Sequence, residues 1–403
     1  MNVLSRRSLL KTALAVAVLA DMPGRAAASA GSGLKITKMV IHKMSLRWRN
    51  LMFIELHTNG GLVGIGEASL HTRTDVVETA LRWIEPHLVG MDPAGVENHW
   101  DRNYYRLTRW RRGPILRTAL SAIDMALWDL EGKRLGVPVW RLLGGPIHRQ
   151  LRAYYTHWTH AMRSRSPDAF AERAAETQAR GWSAVKWSIP RSRGQSETER
   201  VAGVAANVAA VREAAGDAFD ICIETYESLS IRSALQLAKA LAPYRPLFME
   251  EPIGRESREN FGKLAAQCPV TIATGEGLLS RFEFKQLLDT SGALIIQPDI
   301  LHCGGITEMR KIANLAEIYG VEVAPHMCMG PVGHVASLAA MSVCRNFLIH
   351  EWEAADDVLY QELTDGKYPV QKDGVVTLPE GLGLGLTVDF EQFKKRFPYR
   401  TRP

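Results

Sequence analysis

Short apolar runs that end on a charged residue recur through the second half of the chain. Each run is typical of a strand, and stretches with helical periodicity separate one run from the next. The residues that close the six clearest runs lie 23 to 27 residues apart, and they are Glu224, Glu250, Glu276, Asp299, His326 and Glu351. A strand, a helix and two loops occupy about this length, so the spacing predicts repeated βα units and a parallel sheet.

Two further strands are predicted upstream, at Leu151–Tyr155 and Ala184–Lys186. Eight such strands predict an α/β protein with a closed (β/α)8-type barrel, in which the C-terminal strand ends form the active site. We therefore expect the polar residues at those ends to converge. A barrel of this kind takes ~250 residues, so a chain of 403 residues also has room for a second domain.

The first part of the chain has a different pattern. Residues 34–67 alternate like strands, and Asn59-Gly60 predicts a hairpin. Leucine and isoleucine then recur at helical spacing and predict one long helix to about Lys133. We predict an α+β domain at 31–150, the barrel at 151–360 and a turn-rich C-terminal segment at 361–403.

Residues 1–30 are predicted to be a targeting signal. Ser5 to Lys11 resembles the twin-arginine export motif, an apolar run follows from Ala13 to Ala20, and Ala28 to Ala30 form a small-residue cleavage site. The run is too short to anchor the mature chain in a membrane. An ordinary secretory signal is the alternative. We expect periplasmic export and a mature start near Gly31.

Composition and charge exclude some classes of partner. The chain is 46% apolar and 23% charged, as in a soluble globular protein. The net charge is +6, but half of it lies in residues 1–30, and the remaining +3 is too small to indicate a nucleic-acid partner. The five cysteines are an odd number without paired spacing, so no structural disulfide is expected.

Four stretches together carry a family resemblance: Ser121–Lys133, Pro243–Pro252, Gln297–Glu308 and Ala324–Pro331. Through them the chain resembles the mandelate racemase/muconate lactonizing enzyme-like group of the enolase superfamily, and above all the galactonate dehydratases. The resemblance covers roughly residues 34–390. It implies a modified TIM barrel, (β/α)7β, with an N-terminal α+β capping domain to which the C-terminal segment returns. It also implies one Mg2+ per subunit, a sugar-acid substrate and a homo-oligomer.

The reaction implied by the resemblance removes a proton α to a carboxylate and forms an enediolate. A hard divalent cation with oxygen ligands offsets the charge of such an intermediate. Glu250 and Glu276 match the second and third metal ligands of the family. Glu224 matches the first, where the family usually has Asp, so the longer side chain puts the geometry of the ion in question. The alternative for each glutamate is a salt bridge.

His326 is the best candidate for the base. Asp299 ends the preceding strand, and an aspartate on the far ring nitrogen would orient the imidazole and raise its pKa. The family has a matching His–Asp dyad. Glu351 matches an acid that bonds to the substrate carboxylate or the enediolate. A capped core histidine and a structural glutamate are the alternatives.

The chain departs from the family at two positions. Many members carry Lys-x-Lys on the second strand, but here the stretch is Lys186-Trp187-Ser188, which lacks the second lysine. Galactonate dehydratases carry a catalytic histidine two residues after the first metal ligand, where this chain has Tyr226. Residues two apart on a strand share a face, so Tyr226 is expected beside Glu224. Its neutral phenol either donates a proton or only binds the substrate.

Substrate contacts are expected from cationic and aromatic residues near the barrel mouth. The candidates are Arg47, Trp48, Arg49, His71, Arg73 and Arg109–Arg112 in the capping domain, and Tyr155 and His157 at the end of the first barrel strand. Tyr155 and His157 are also alternative acids. A solvated surface position is the alternative for each.

These features favour a Mg2+-dependent acid-sugar dehydratase, a hydro-lyase that yields a 2-keto-3-deoxy acid. An epimerase, racemase or cycloisomerase is the alternative, because the same intermediate serves all of them. A non-catalytic sugar-acid-binding protein with a vestigial site is a further alternative. Racemisation needs an acid/base group on each face of the substrate, and a site with one convincing base therefore favours elimination.

Overall fold

The computed structural model describes residues 31–106, 112–190, 194, 196–256, 258–290 and 292–401. The chain begins with an antiparallel sheet of three strands: β1 (Ile36–Leu46), β2 (Arg49–Thr58) and β3 (Val63–Glu67). The predicted turn at Asn59-Gly60 joins β2 to β3. Three helices accompany this sheet: α1 (Thr74–Ile84), α2 (Val96–Asp101) and α3 (Pro114–Leu135). The long predicted helix is α3, which ends at Leu135 because Gly136 adopts the left-handed conformation, with φ +71°.

Eight parallel strands follow and form the barrel. They are β4 (Gln150–Tyr155), β5 (Ala184–Ser188), β6 (Asp220–Glu224), β7 (Phe248–Glu250), β8 (Ile272–Thr274), β9 (Ile295–Ile296), β10 (Glu322–Val323) and β11 (His350–Trp352). Neighbours in sequence pair from β4 to β10, and β11 pairs with β4. A parallel bridge between Val323 and Phe347 closes the ring. The prediction of eight strands and a closed barrel is confirmed.

Helices connect consecutive barrel strands. A short helix, α4 (Val139–Leu142), precedes the barrel, and the connections contain α5 (Pro167–Ala179), α6 (Glu197–Ala215), α7 (Ile231–Leu241), α8 (Arg258–Ala265), α9 (Arg281–Thr290), α10 (Ile300–Cys303), α11 (Gly305–Ile318) and α12 (Pro331–Met341). Seven helical connections thus join eight strands, as the (β/α)7β prediction requires. The short α13 (Asp357–Leu363) follows β11.

Two layers of side chains fill the barrel. The lower layer is apolar and takes one residue from each strand region: Tyr154, Ala184, Cys222, Phe248, Ala273, Ile295, Ala324 and Ile349. Side chains two residues apart on a strand share a face. The layer above therefore consists of Thr156, Lys186, Glu224, Glu250, Gly275, Gln297, His326 and Glu351. An apolar floor thus supports a polar layer at the C-terminal strand ends.

The C-terminal segment contacts both parts of the chain. The hairpin of β12 (Gln371–Lys372) and β13 (Val375–Thr377) pairs antiparallel with β4, and α14 (Phe390–Arg396) packs beside β1 and β2. The buried carboxylate of Asp129 accepts hydrogen bonds from the backbone of Ile65 at 2.9 Å and Leu384 at 2.8 Å. None of the helices in the described residues is both long and apolar enough to cross a membrane.

Candidate active site

A cavity of about 580 Å³ lies above the polar layer, between the first sheet and the mouth of the barrel. The N-terminal domain contributes Trp48, Leu70 and His71 to its wall. The barrel contributes His157, His160, Lys186, Glu224, Tyr226, Glu276, His302, His326, Cys328 and Glu351. The convergence of polar residues expected from the strand ends therefore occurs in this cavity.

Glu224, Glu250 and Glu276 form a cluster of carboxylates on three neighbouring strand ends. One oxygen of each lies within 4.8 Å of the others. Gly275 takes the inward position after β8 with φ +124°, so Glu276, one residue later, joins the cluster. Burial and the neighbouring carboxylates raise the pKa of Glu224 and of Glu276. Oxygen donors that repel one another in this way can hold a divalent cation.

Lys186 neutralises part of this charge. Its Nζ lies 2.8 Å from both oxygens of Glu250 and 3.0 Å from Oε1 of Glu351. Burial by itself would lower the pKa of Lys186, but Glu250 and Glu351 raise it well above its ordinary value. The side chain therefore remains an ammonium ion and does not act as a base at neutral pH.

His326 and Asp299 form the expected pair. Nδ1 of His326 lies 2.7 Å from Oδ2 of Asp299, whose other oxygen accepts a hydrogen bond from the backbone of Leu301 at 2.7 Å. On the far side, Nε2 lies 3.4 Å from Oε2 of Glu276 and 3.7 Å from Oε2 of Glu351. Burial alone would lower the pKa of His326, but these two carboxylates raise it well above its ordinary value. The ring is an oriented, strongly basic group beside the cluster.

Glu351 lies between His326 and Lys186. It accepts a hydrogen bond from the backbone of Met327 at 2.9 Å and is fully buried. Burial opposes its ionisation, but Lys186 and His326 lower the pKa of Glu351 below its ordinary range. The carboxylate is therefore a fixed negative charge between the ammonium group of Lys186 and the ring of His326.

Tyr226 lies at the edge of the cavity, and the residue is 43% exposed. Its φ is +50°, and its backbone N–H donates to Oε1 of Glu224. The phenol is hydrogen-bonded to Ser188, and burial raises the pKa of Tyr226. The side chain is thus protonated at neutral pH and is turned toward strand β5, which ends at Ser188.

Three of the expected substrate-binding residues lie outside the cavity wall, which corrects the sequence-based expectation. Arg49 is fully buried, pairs with Asp356 and donates to the carbonyl of Met329 at 3.1 Å. Arg47 lies 3.1 Å from Asp356 and donates to the carbonyl of Ala355. Both arginines therefore bind protein groups at the cap–barrel contact.

Tyr155 is the third of these residues. It is buried and stacks on Trp182 with ring centroids 5.2 Å apart. Alternation explains the difference, because Tyr154 and Thr156 occupy the inward positions of this strand. His157 reaches the cavity because its φ of +53° turns the chain after β4.

Other candidates are distributed between the cavity and the surface. Trp48 and His71 lie in the wall with ring centroids 5.1 Å apart. Arg73 donates to the hydroxyl of Thr72 at 2.7 Å. Within the arginine-rich loop, residues 109–111 lie outside the described residues, and Arg112 borders a second cavity that Tyr104 and Phe282 also line.

The sequence reasoning missed several residues of the site. Oε2 of Glu353 lies 2.7 Å from Nδ1 of His157, and Sγ of Cys328 lies 3.7 Å from Nε2 of His326. Nε2 of His302 lies 3.6 Å from Oδ2 of Asp299. Glu353 could have been found, because it is two residues beyond Glu351 and so shares its face. No comparable signal marks His302 or Cys328.

Two family models match this chain. The model described as "Mandelate racemase / muconate lactonizing enzyme, N-terminal domain" matches residues 33–144. The model described as "Enolase C-terminal domain-like" matches residues 169–393. The first covers the three-stranded sheet and its helices, and the second covers most of the barrel.

Whole proteins are similar over most of their length. The D-galactonate dehydratase of Ralstonia nicotianae is 40% identical over 363 residues, which are 88% of this chain and 92% of that protein. The D-galactonate dehydratase of Pectobacterium atrosepticum is 38% identical over 357 residues, 85% of this chain and 91% of that protein. A mandelate racemase/muconate lactonizing enzyme from Jannaschia sp. CCS1 has a similar structure, with a TM-score of 0.83, 30% identity, and coverage of 92% of this chain and 99% of that one.

Proposed function

The chain belongs to the mandelate racemase/muconate lactonizing enzyme group of the enolase superfamily, and from this membership we propose that it is an acid-sugar dehydratase. The observation that carries the proposal is the His326–Asp299 pair directly beside three clustered glutamates. Such an enzyme removes the proton α to the carboxylate, eliminates the hydroxyl at the next carbon and yields a 2-keto-3-deoxy acid. The two D-galactonate dehydratases support this choice of reaction.

We propose that Glu224, Glu250 and Glu276 hold one Mg2+ per subunit. Their clustered oxygens and raised carboxyl pKa values fit a hard divalent cation. When bound, the ion would attract the substrate carboxylate and offset the charge of the enediolate. Glu224 stands where the family usually has Asp, and its side chain is one methylene longer.

The remaining site residues handle the proton. His326 takes the C2 proton at Nε2, while Asp299 holds Nδ1 and keeps the ring oriented. Lys186 and Glu351 stay charged in the same polar layer, and the ammonium group of Lys186 can bind the oxygens of the substrate carboxylate. Ser188 and Tyr226 occupy the two positions where relatives carry a lysine base or a histidine. Neither is a base at neutral pH, so the second base that many relatives carry at these positions is absent from them here.

We also propose where the protein acts. Residues 1–30 resemble a twin-arginine signal, so we propose export to the periplasm as a folded chain without a membrane anchor. Membership of the superfamily further supports a homo-oligomer. Sequencing the N-terminus of the exported protein and light scattering would test these two proposals.

The activity test is mass spectrometry of a panel of acid sugars incubated with the mature protein and Mg2+ in D2O. We expect loss of water from at least one acid and inhibition by EDTA. His326→Asn should abolish this reaction, whereas the control His87→Asn, at an exposed position outside the cavity, should not. Deuterium gain at C2 without water loss would instead indicate an epimerase or racemase. Unchanged turnover by His326→Asn would refute the assigned base.

A further inference from the structure

A second histidine–carboxylate pair lies in the same cavity. Nδ1 of His157 lies 2.7 Å from Oε2 of Glu353, the same separation as in the His326–Asp299 pair. Each pair joins two adjacent strands, because Glu353 follows β11 and His157 follows β4. Since Nδ1 faces the carboxylate, Nε2 is on the far side of the ring, and His157 is part of the cavity wall.

The pair is held more firmly than a surface contact would be. Glu353 is 2% exposed, and its other oxygen accepts a hydrogen bond from the backbone of Ala355 at 3.4 Å. His157 has φ +53°, an uncommon conformation for a residue with a side chain. Such backbone conformations persist where surrounding contacts enforce them, and they cluster at functional sites.

Aromatic neighbours fix the plane of the ring. His160 stacks on His157 with centroids 4.5 Å apart and an interplanar angle of 28°. The Trp48 ring approaches the edge of His157 at 5.4 Å and 70°. The imidazole is thus restrained on three sides, by a carboxylate, a stacked ring and an indole edge.

We propose that His157 is the general acid for the departing hydroxyl, with Glu353 as its positioning residue. This assignment rests on the proposed dehydratase function. Tyr226, the other candidate, is hydrogen-bonded to Ser188 on the side of strand β5. In the second pair a carboxylate at Nδ1 and a stacked ring orient the imidazole of His157, so that Nε2 is the nitrogen left to face the substrate.

The elimination transfers one proton to His326 and one proton from His157. His326 accepts the C2 proton, and the electron pair of the resulting enediolate forms the C2=C3 double bond as the C3–O bond breaks. Nε2–H of His157 transfers its proton to the departing oxygen, which leaves as water. The enol product then tautomerises to the 2-keto-3-deoxy acid. His326 releases its proton and neutral His157 takes one up, so both return to their starting forms.

The test compares two leaving groups. The probes are D-galactonate, the substrate in the names of the relatives, and 3-deoxy-3-fluoro-D-galactonate. If the wild type dehydrates another acid of the panel instead, that acid and its 3-fluoro analogue replace them. Fluoride departs with little help from an acid. We therefore expect His157→Gln to lower water loss by about 10²- to 10³-fold while fluoride release stays within about threefold of wild type.

Deuterium exchange at C2 separates the two halves of the reaction. His157→Gln should retain exchange in D2O, because His326 still forms the enediolate, whereas His326→Asn should lose exchange and both eliminations. Glu353→Gln should reduce water loss selectively, by a smaller factor. His87→Asn serves as the control, and thermal melting verifies that each variant is folded.

Several outcomes would overturn the assignment. Equal loss of water and fluoride elimination in His157→Gln would mean that the residue only binds the substrate. Selective loss of water elimination in Tyr226→Phe, with His157→Gln unaffected, would make Tyr226 the acid. A wild type that dehydrates no acid of the panel would refute the dehydratase function itself and, with it, this role for His157.

Discussion

Replacing Lys186 with methionine tests how the charges at the base of the cavity are balanced. The ammonium group contacts Glu250 at 2.8 Å and Glu351 at 3.0 Å, and all three side chains are at most 6% exposed. Methionine fills similar space without the charge. It leaves Glu224, Glu250, Glu276 and Glu351 with His326 as the nearest cation.

Removal of one partner from a buried ion pair costs ~3–5 kcal/mol, because the other charge stays buried without compensation. At ~2–4 °C of melting temperature per kcal/mol in domains of 150–250 residues, Lys186→Met should melt roughly 6–20 °C below the wild type in EDTA. Mg2+ should recover more of the loss than it adds to the wild type, since the ion offsets the same carboxylates. The loss should be larger at pH 8 than at pH 5, because burial and the neighbouring carboxylates raise the pKa of Glu224 and of Glu276 and favour their neutral forms at the lower pH.

The assay is thermal melting of the wild type and Lys186→Met, each with EDTA and with Mg2+. Lys43→Met is the matched control. Its lysine pairs with Asp75 and Glu78 at a partly exposed site, where ion pairs contribute about 0–1 kcal/mol. Equal melting temperatures for Lys186→Met and the wild type in EDTA would refute the reasoning. The reasoning would also fail if Mg2+ stabilised both proteins equally.

Three further results are expected. Asp299→Asn should lower kcat on the order of 10²- to 10⁴-fold with intact folding, because the His326 ring loses its orienting charge; a rate near that of the wild type would contradict the dyad. Arg49→Met should lower stability by about 3 kcal/mol, since it removes the buried partner of Asp356 and leaves the half-exposed Arg47 at 3.1 Å from that carboxylate; urea unfolding, with Arg73→Met as a surface control, will measure this. Burial lowers the pKa of His334 to about 3, so its contribution to stability is complete above pH 6.5 and declines as the pH falls toward 3. The melting temperature of His334→Gln should therefore fall less steeply than that of the wild type between pH 6.5 and 4.5, and parallel slopes would exclude this residue.

The strand ends could be predicted because an apolar run and its closing residue are local features. Glu250 and His326 follow directly from that rule. Tyr155 was misplaced because the rule was not carried through to the alternation of faces, which makes Thr156 the inward residue. Glu276 was also predicted from its spacing, although its place in the cluster follows a glycine with φ +124° that the spacing does not reveal.

The prediction that Arg47 and Arg49 bind the substrate was wrong for a different reason. A cationic residue near the mouth of a barrel can face either the substrate or the protein, and only the three-dimensional position of Asp356 decides between the two. Asp356 lies more than 300 residues beyond Arg49. A separation of 196 residues likewise hides the contact between His157 and Glu353. Partners at the ends of neighbouring strands, such as His326 and Asp299, were predictable, and partners from distant parts of the chain were not.

The short loop from Arg47 to Arg49 contacts both the cavity and the segment that follows Glu353. Trp48 forms part of the cavity wall, while Arg47 and Arg49 both pair with Asp356. Arg47 also donates a hydrogen bond to the carbonyl of Ala355, two residues after Glu353. Lifting this loop to admit a substrate would therefore also loosen the support of the His157–Glu353 pair. A displaced loop would therefore leave the His157–Glu353 pair less well supported, and the elimination would proceed only with the loop in the position described here.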